Sequence, residues 1–165
     1  MLRNFLRLEK HLSTEQKLII QSVNKFCNGY LAPRILNDYK NEVVDKSIFK
    51  EMGNLNLLGP TINGYNCLGE SYLTYGLIAK EIESIDSGYR SMFSVQSSLV
   101  MHPISKFGSD YLKNKYLPSL QSGDLVGCFG LTEPNHGSNP GDMETHARKE
   151  GDYYILNFRY RDKNI

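Results

Sequence analysis

The apolar pattern of this 165-residue chain changes its period once, close to Gly123. Before that point apolar residues recur at the spacing of one helix face, and after it they form short runs bounded by glycine and proline, as strands do. The sequence therefore predicts an α+β chain, with a helical domain over residues 1–123 and the start of a β domain over residues 124–165.

Helix start and stop signals divide the first part. Ser13 and Gln16 form a capping-box pattern at the start of the first helix, and Pro33 ends or kinks it. A short second helix takes Asp45 as its N-cap and Gly53 as its stop. The inward face predicted for the first helix consists of Leu18, Ile19, Val23, Phe26, Cys27 and Tyr30.

Glycine and proline punctuate residues 55–70, which predicts a loop. A third helix is predicted over residues 71–85, a fourth from near Tyr89 to His102–Pro103, and a fifth after Gly108–Ser109. The break before the fourth helix falls at residues 86–88. The inward residues predicted for the third and fifth helices are Leu73, Leu77, Ile78, Ile82, Leu112, Tyr116, Leu117 and Leu120.

The second part carries two strand signals. Residues 125–133, LVGCFGLTE, form a short apolar run that predicts a first strand, and a polar loop follows it. Residues 144–148 alternate, Glu150–Asp152 predicts a turn, and Tyr153–Phe158 predicts a second strand.

Composition excludes several kinds of function. The net charge of +1 gives no support to nucleic-acid or membrane-surface binding, and no run reaches the roughly 18 apolar residues of a membrane span. The three cysteines form no CxxC pair, which favours reduced thiols over a disulfide or zinc framework. No metal site is predicted, because the histidines lack ligand spacing; they are His11, His102, His136 and His146.

The segment Phe129–Ser138 joins the first predicted strand to a loop rich in glycine and hydroxyl groups. Its backbone N–H groups suit an anion, and Phe129 with Leu131 offers an apolar wall for a planar ring. The alternative from composition alone is a surface turn that ends a strand, because no Walker or Rossmann pattern is present.

Arg90 and Ser91 open the fourth predicted helix, where an arginine beside a hydroxyl makes a good carboxylate site. Glu83 lies seven residues earlier and would orient this arginine if the helical phase survives the break. The alternative is an ordinary solvated arginine.

The string GCFGLTEPNHGSNPGDMETHAR resembles the flavin-binding signature of the acyl-CoA dehydrogenase family. Within that family, IDSGYRSMFSVQSSLVMHPI with EMGNLNLLGPTINGYNCLGE resembles the glutaryl-CoA branch. The resemblance runs from about Leu8 to Asn157. It implies an N-terminal all-helical domain followed by the first strands of the middle β domain, with the C-terminal helical domain absent.

Residue roles follow from the resemblance at matching positions. Arg90 and Ser91 match the pair that recognises the distal carboxylate of the substrate, and Ser138 matches a position that touches acyl-CoA. Thr132 and the backbone would contact FAD, with Gly137–Ser138 near its pyrophosphate. The implied FAD segment is Phe129, Gly130, Leu131, Thr132, Glu133, Pro134, Asn135, His136, Gly137 and Ser138.

The resemblance also implies a reaction and partners. A carboxylate base removes an α-proton while the β-hydride passes to FAD, and the glutaryl branch then loses CO2 to give crotonyl-CoA in lysine and tryptophan degradation. Electron-transfer flavoprotein and a homo-oligomer, usually a tetramer, are the implied partners. The mitochondrial matrix is the implied compartment, favoured slightly by the basic, apolar MLRNFLR leader, with the cytoplasm as the bacterial alternative.

The chain departs from the family pattern near its end. Phe158 stands where glycine is expected, Asn139 replaces the usual aspartate, and the chain contains no tryptophan. The catalytic glutamate of the family lies in the absent domain, and neither Glu133 nor Glu144 matches it, so no catalytic residue is assigned. We therefore expect these residues alone to be inactive and to bind FAD weakly or not at all.

Two alternatives stay open. One is a non-catalytic helical protein that derives from the family and acts through protein contacts. The other is a different member, such as an isovaleryl-CoA or short-chain acyl-CoA dehydrogenase. Arg90 argues against the latter, because a plain fatty acyl chain needs an apolar pocket where a dicarboxylic chain needs a fixed cation.

Overall fold

The computed structural model describes residues 8–157, so the leader MLRNFLR and Phe158 lie outside the described residues. The chain divides into two compact units, Met1–Cys128 and Phe129–Ile165. The first unit is helical and the second contains a two-stranded sheet, which confirms the predicted α+β class.

The first unit contains seven α-helices in its described part. They are α1 Thr14–Phe26, α2 Ile35–Asn41, α3 Ser47–Asn54, α4 Tyr72–Glu83, α5 Ser87–Ser94, α6 His102–Phe107 and α7 Asp110–Gln121. A 3-10 turn, Leu8–His11, precedes α1. The π-helical segment Cys27–Leu31 extends α1, and a second π-helical segment, Val95–Met101, joins α5 to α6. Helix α2 has no counterpart among the predicted helices.

Side chains cap α1, α4 and α7 at Ser13, Ser71 and Ser109, as the sequence predicts. The predicted Asp45 cap is wrong, because the N-cap of α3 is Lys46, which makes no side-chain capping bond. Ser13 Oγ accepts from the Gln16 N–H at 3.1 Å, and the Gln16 side chain accepts from the Ser13 N–H at 3.0 Å, so the capping box is confirmed. The fourth predicted helix begins at Ser87 rather than near Tyr89, because the Asp86 carboxylate caps it. Gly88 therefore lies inside the first turn of α5 and does not interrupt the helix.

The core of the first unit is apolar, but three leucines predicted to face it are exposed: Leu18, Leu73 and Leu112. Each precedes a buried core residue by five positions, which is about 140° around a helix. The helices bury a narrower stripe than the sequence pattern suggests. The buried apolar residues on the helices include Val23, Phe26, Ile48, Met52, Ile78, Ile82, Phe93, Leu117 and Leu120.

Gly53 is not the stop signal of α3, because that helix continues through Asn54. A Cβ at Gly53 would lie 2.3 Å from the backbone carbonyl of Ser122, so glycine permits α3 to approach the end of α7. The chain instead reverses at Asn56, whose φ is 55° and whose N–H donates to the Gly53 carbonyl at 2.9 Å.

Residues 125–133 do not form the predicted first strand, because no other segment of residues 8–157 pairs with them in a ladder. The Gln96 amide takes the place of a neighbouring strand at the start of this segment. Its Nε2 donates to the carbonyls of Leu120 and Leu125 at 3.0 and 2.8 Å, and its Oε1 accepts from the Gly127 N–H at 3.0 Å. Buried Gln96 thus satisfies backbone groups that a sheet would otherwise pair.

The second unit contains an antiparallel hairpin of β1 (His146–Glu150) and β2 (Tyr153–Asn157). Arg148 pairs with Ile155 in its register. Gly151 has a φ of 59° in the connecting turn, which confirms the predicted turn. All residues of both strands are exposed, so neither face of this hairpin is covered within the described part of the unit.

Gly53→Ala and Gly76→Ala form a matched pair of tests of helix packing. Gly53→Ala should lower the free energy of unfolding by about 1–3 kcal/mol, because its Cβ would overlap the Ser122 backbone. Gly76 lies in α4 with no atom within 4 Å of a built Cβ, so Gly76→Ala should raise stability by about 0.5–1 kcal/mol. Urea denaturation followed by circular dichroism measures both, and equal effects would contradict the packing role of Gly53.

Candidate functional site

Arg90 lies in α5, on the turn that the Asp86 cap fixes. The Asp86 carboxylate accepts from the N–H groups of Gly88 and Tyr89 at 2.7 and 3.2 Å. The Tyr89 hydroxyl also donates to the Asp38 carboxylate at 3.1 Å, which joins α5 to α2. Burial, followed by the hydrogen bond to Asp38, raises the pKa of Tyr89 to about 12, so this phenol stays protonated at physiological pH.

The predicted pairing of Glu83 with Arg90 is present. Arg90 Nε donates to Glu83 Oε2 at 2.7 Å, and Arg90 Nη1 donates to Ser94 Oγ at 3.2 Å. The Ser87 hydroxyl donates to the other Glu83 oxygen at 2.6 Å. The bond from Ser87, and then that from Arg90, lowers the pKa of Glu83, so this carboxyl group is ionised at neutral pH.

This arrangement leaves part of the guanidinium available. Glu83 and Ser94 engage Nε and Nη1, while Nη2 has no hydrogen-bond partner among residues 8–157. The Arg90 side chain is 37% exposed, so a ligand can reach it. A half-buried guanidinium with a fixed orientation and a free terminal nitrogen is suited to binding a carboxylate.

Ser91 and Ser94 differ in their relation to Arg90. Ser91 follows Arg90 directly, so its side chain points about 100° away around α5. Ser94 lies one turn further and contacts the guanidinium. Sequence reasoning named Ser91 and missed Ser94, although the i, i+4 spacing from Arg90 was a usable signal.

The loop Phe129–Ser138, in the second unit, is open to solvent over most of its length. Phe129 and Leu131 are 46% and 40% exposed. A Cβ built at Gly130 or Gly137 has no atom within 4 Å, so the backbone is accessible at both positions. Thr132, Pro134, Asn135 and Ser138 are also exposed.

Glu133 is the exception in this loop, because it is buried. Its carboxylate accepts from the N–H groups of Glu144 and Thr145 at 2.7 and 2.8 Å. Its backbone N–H and carbonyl exchange hydrogen bonds of 3.3 and 3.2 Å with His136. His136 Nε2 lies 3.5 Å from Glu144 Oε1. The charged end of Glu133 is therefore directed at backbone N–H groups of the second unit.

No group of three or more His, Cys, Asp or Glu side chains in residues 8–157 is arranged to hold a metal ion. No helix in this described range combines the length and apolar character of a membrane span.

Residues 13–124 match the model of the acyl-CoA dehydrogenase N-terminal domain, which is more than half of the chain. The chain therefore belongs to the acyl-CoA dehydrogenase family.

Individual relatives agree with this assignment. The chain is 36% identical over 149 residues to mitochondrial isovaleryl-CoA dehydrogenase of Bos taurus, covering 88% of this chain and 35% of the bovine protein. It is 34% identical over 148 residues to an acyl-CoA dehydrogenase of Bacillus subtilis, covering 89% of this chain and 39% of that protein.

Among solved structures, the chain is similar to a glutaryl-CoA dehydrogenase from Mycobacterium smegmatis in complex with FADH2. The TM-score is 0.86 at 42% identity, and the match covers 94% of this chain and 40% of the mycobacterial chain. The chain thus spans well under half the length of each of these relatives.

Proposed function

We propose that this chain is the N-terminal part of an FAD-dependent dehydrogenase that acts on a dicarboxylic acyl-CoA of the glutaryl-CoA class. The observation that carries the proposal is the Arg90 guanidinium, which Glu83 and Ser94 hold while one terminal nitrogen stays open. A carboxylate at the far end of an acyl chain needs such a cation, because leaving it unpaired on burial costs several kcal/mol. The similarity to the mycobacterial glutaryl-CoA dehydrogenase supports this substrate class.

FAD is the proposed cofactor, and the residues of the 129–138 loop fit part of it. Accessible backbone at Gly130 and Gly137 suits close approach of a phosphate or ring, and exposed Phe129 and Leu131 suit an apolar ring face. Bound FAD would supply the acceptor for the hydride. The residues of this chain bind and orient the substrate. Arg90 holds its distal carboxylate, and Ser91 and Ser138 are further proposed substrate contacts.

In this proposal, these residues alone are not sufficient for catalysis, which requires the longer protein. No carboxylate of the chain is assigned as the α-proton base, and the chain spans 40% of the mycobacterial enzyme. Electron-transfer flavoprotein and a homo-oligomer are proposed partners of the full-length protein. The mitochondrial matrix is the proposed compartment, with the cytoplasm as the bacterial alternative, since the relatives include a mitochondrial and a bacterial protein.

Arg90→Ala tests the substrate class. It should weaken glutaryl-CoA binding by about ten- to a hundredfold, because it removes a hydrogen bond between charged groups, and should leave butyryl-CoA binding unchanged. Isothermal titration calorimetry of the FAD-saturated chain with both thioesters measures the ratio.

Arg148→Ala is the matched control, because Arg148 is an exposed arginine on β1 whose partner is Glu150. It should leave both affinities as they are. Equal losses of glutaryl-CoA and butyryl-CoA binding in Arg90→Ala would contradict a dicarboxylic substrate.

A second test concerns the proposed need for a base outside these residues. The 165-residue chain should bind FAD weakly, so it is tested with excess FAD under anaerobic conditions. The flavin should keep its absorbance near 450 nm when glutaryl-CoA is added, because general-base catalysis requires a positioned carboxylate. Dithionite serves as the control that the flavin is reducible. Rapid bleaching by glutaryl-CoA would show that the chain supplies its own base.

A further inference from the structure

Glu133 is the one buried residue among residues 129–157. The apolar residues of the same stretch, such as Phe129 and Leu156, are exposed. Burying an ionised carboxylate is costly, so its position needs specific partners to offset the loss of hydration. Those partners identify what Glu133 does.

Both oxygens of Glu133 bind backbone N–H groups at the far end of the loop. Oε2 accepts from Glu144 and Oε1 accepts from Thr145, which immediately precedes β1. A single side chain thus joins the two ends of the segment 133–145. Such a closure removes much of the conformational freedom that an exposed loop of this length would otherwise have.

The same residue also fixes the first turn of the loop. The Glu133 backbone exchanges two hydrogen bonds with His136, which constrains Pro134 and Asn135 between them. No hydrogen bond in the described structure directs the Glu133 carboxylate toward the exposed side of the loop, where Gly137 and Ser138 lie.

We propose that Glu133 is a positioning residue, which closes the 133–145 loop through its carboxylate and holds residues 134–138 in the shape that binds the cofactor, without touching the cofactor itself. This inference rests on the proposed function, in which the 129–138 loop binds FAD. It assigns Glu133 a role different from the direct cofactor contact that the family resemblance implies.

The charge of Glu133 makes this role dependent on pH. Hydrogen bonds from Thr145 and from the Glu144 N–H lower the pKa of Glu133 below its usual range. A lowered pKa in the folded state means that the closure is complete at neutral pH and is lost as the pH falls through that pKa. The titratable residues in contact with Glu133 or coupled to its charge are His136 and Glu144.

Glu133→Gln tests the inference, because the amide keeps the size of the side chain but can accept from only one of the two N–H groups. FAD affinity, measured on the full chain by quenching of flavin fluorescence, should fall about tenfold. Hydrogen exchange at the N–H groups of Glu144 and Thr145 should become faster, while the thermal unfolding of the helices stays unchanged.

The pH profile separates positioning from a general loss of structure. Wild-type FAD affinity should fall at acid pH, and the Glu133→Gln profile should lack that step although His136 and Glu144 remain. Asp142→Asn is the matched control, since Asp142 lies in the same loop but is exposed and accepts from Asn139. It should keep both the wild-type affinity and the acid step.

Three other outcomes would be decisive. Equal FAD affinity in wild type and Glu133→Gln would overturn the inference and leave the proposed function standing. An equal loss in Asp142→Asn would overturn it as well, because any charge in the loop would then suffice. Absence of FAD binding in the wild type and every variant would overturn the inference, because residues 134–138 would then hold no cofactor; the proposed function is tested separately by the Arg90→Ala comparison.

Discussion

The need to pair backbone groups where regular structure ends is the constraint on which this structure depends. A backbone N–H or carbonyl removed from water without a partner is costly, so a chain that leaves a helix without joining a sheet needs other donors and acceptors. Gln96 meets this need for residues 120–127. Gln121 does so for the turn after α3, where its amide donates to the Gly53 carbonyl. Glu133 does so in the second unit.

Hydrogen bonds also hold the charged side chain of Arg90 in one orientation without using all of its donors. Asp86 caps α5, and the Tyr89–Asp38 hydrogen bond joins the first turn of that helix to α2. Arg90 lies on this turn, and Glu83 and Ser94 set the plane of its guanidinium. An arginine that is oriented in advance loses little side-chain entropy when a carboxylate binds, and this supports the dicarboxylic substrate that we propose.

Much of this arrangement was predictable from local pattern, and the errors share physical causes. The capping box of Ser13, the turn at Gly151 and the Glu83–Arg90 pair depend on residues close in sequence, so their spacing is informative. Leu18, Leu73 and Leu112, in contrast, fit the apolar spacing of a helix, but the packed helices bury a narrower face that leaves them exposed. Gly53 is a residue type that often ends helices, but its role here is to let α3 pack closely against Ser122, which lies far along the chain.

The sequence by itself determined the helical and β parts, the caps and the family, because these follow from periodicity, from hydrogen bonds within one turn and from contiguous motifs. Only the tertiary structure decided that residues 125–127 bind the Gln96 amide in place of a strand, that Ser94 contacts Arg90 and that Glu133 faces inward. Each of these depends on which polar group lies nearest once the chain has folded. That proximity is set by packing between segments distant in sequence, or by the path of a loop, and no local pattern encodes it.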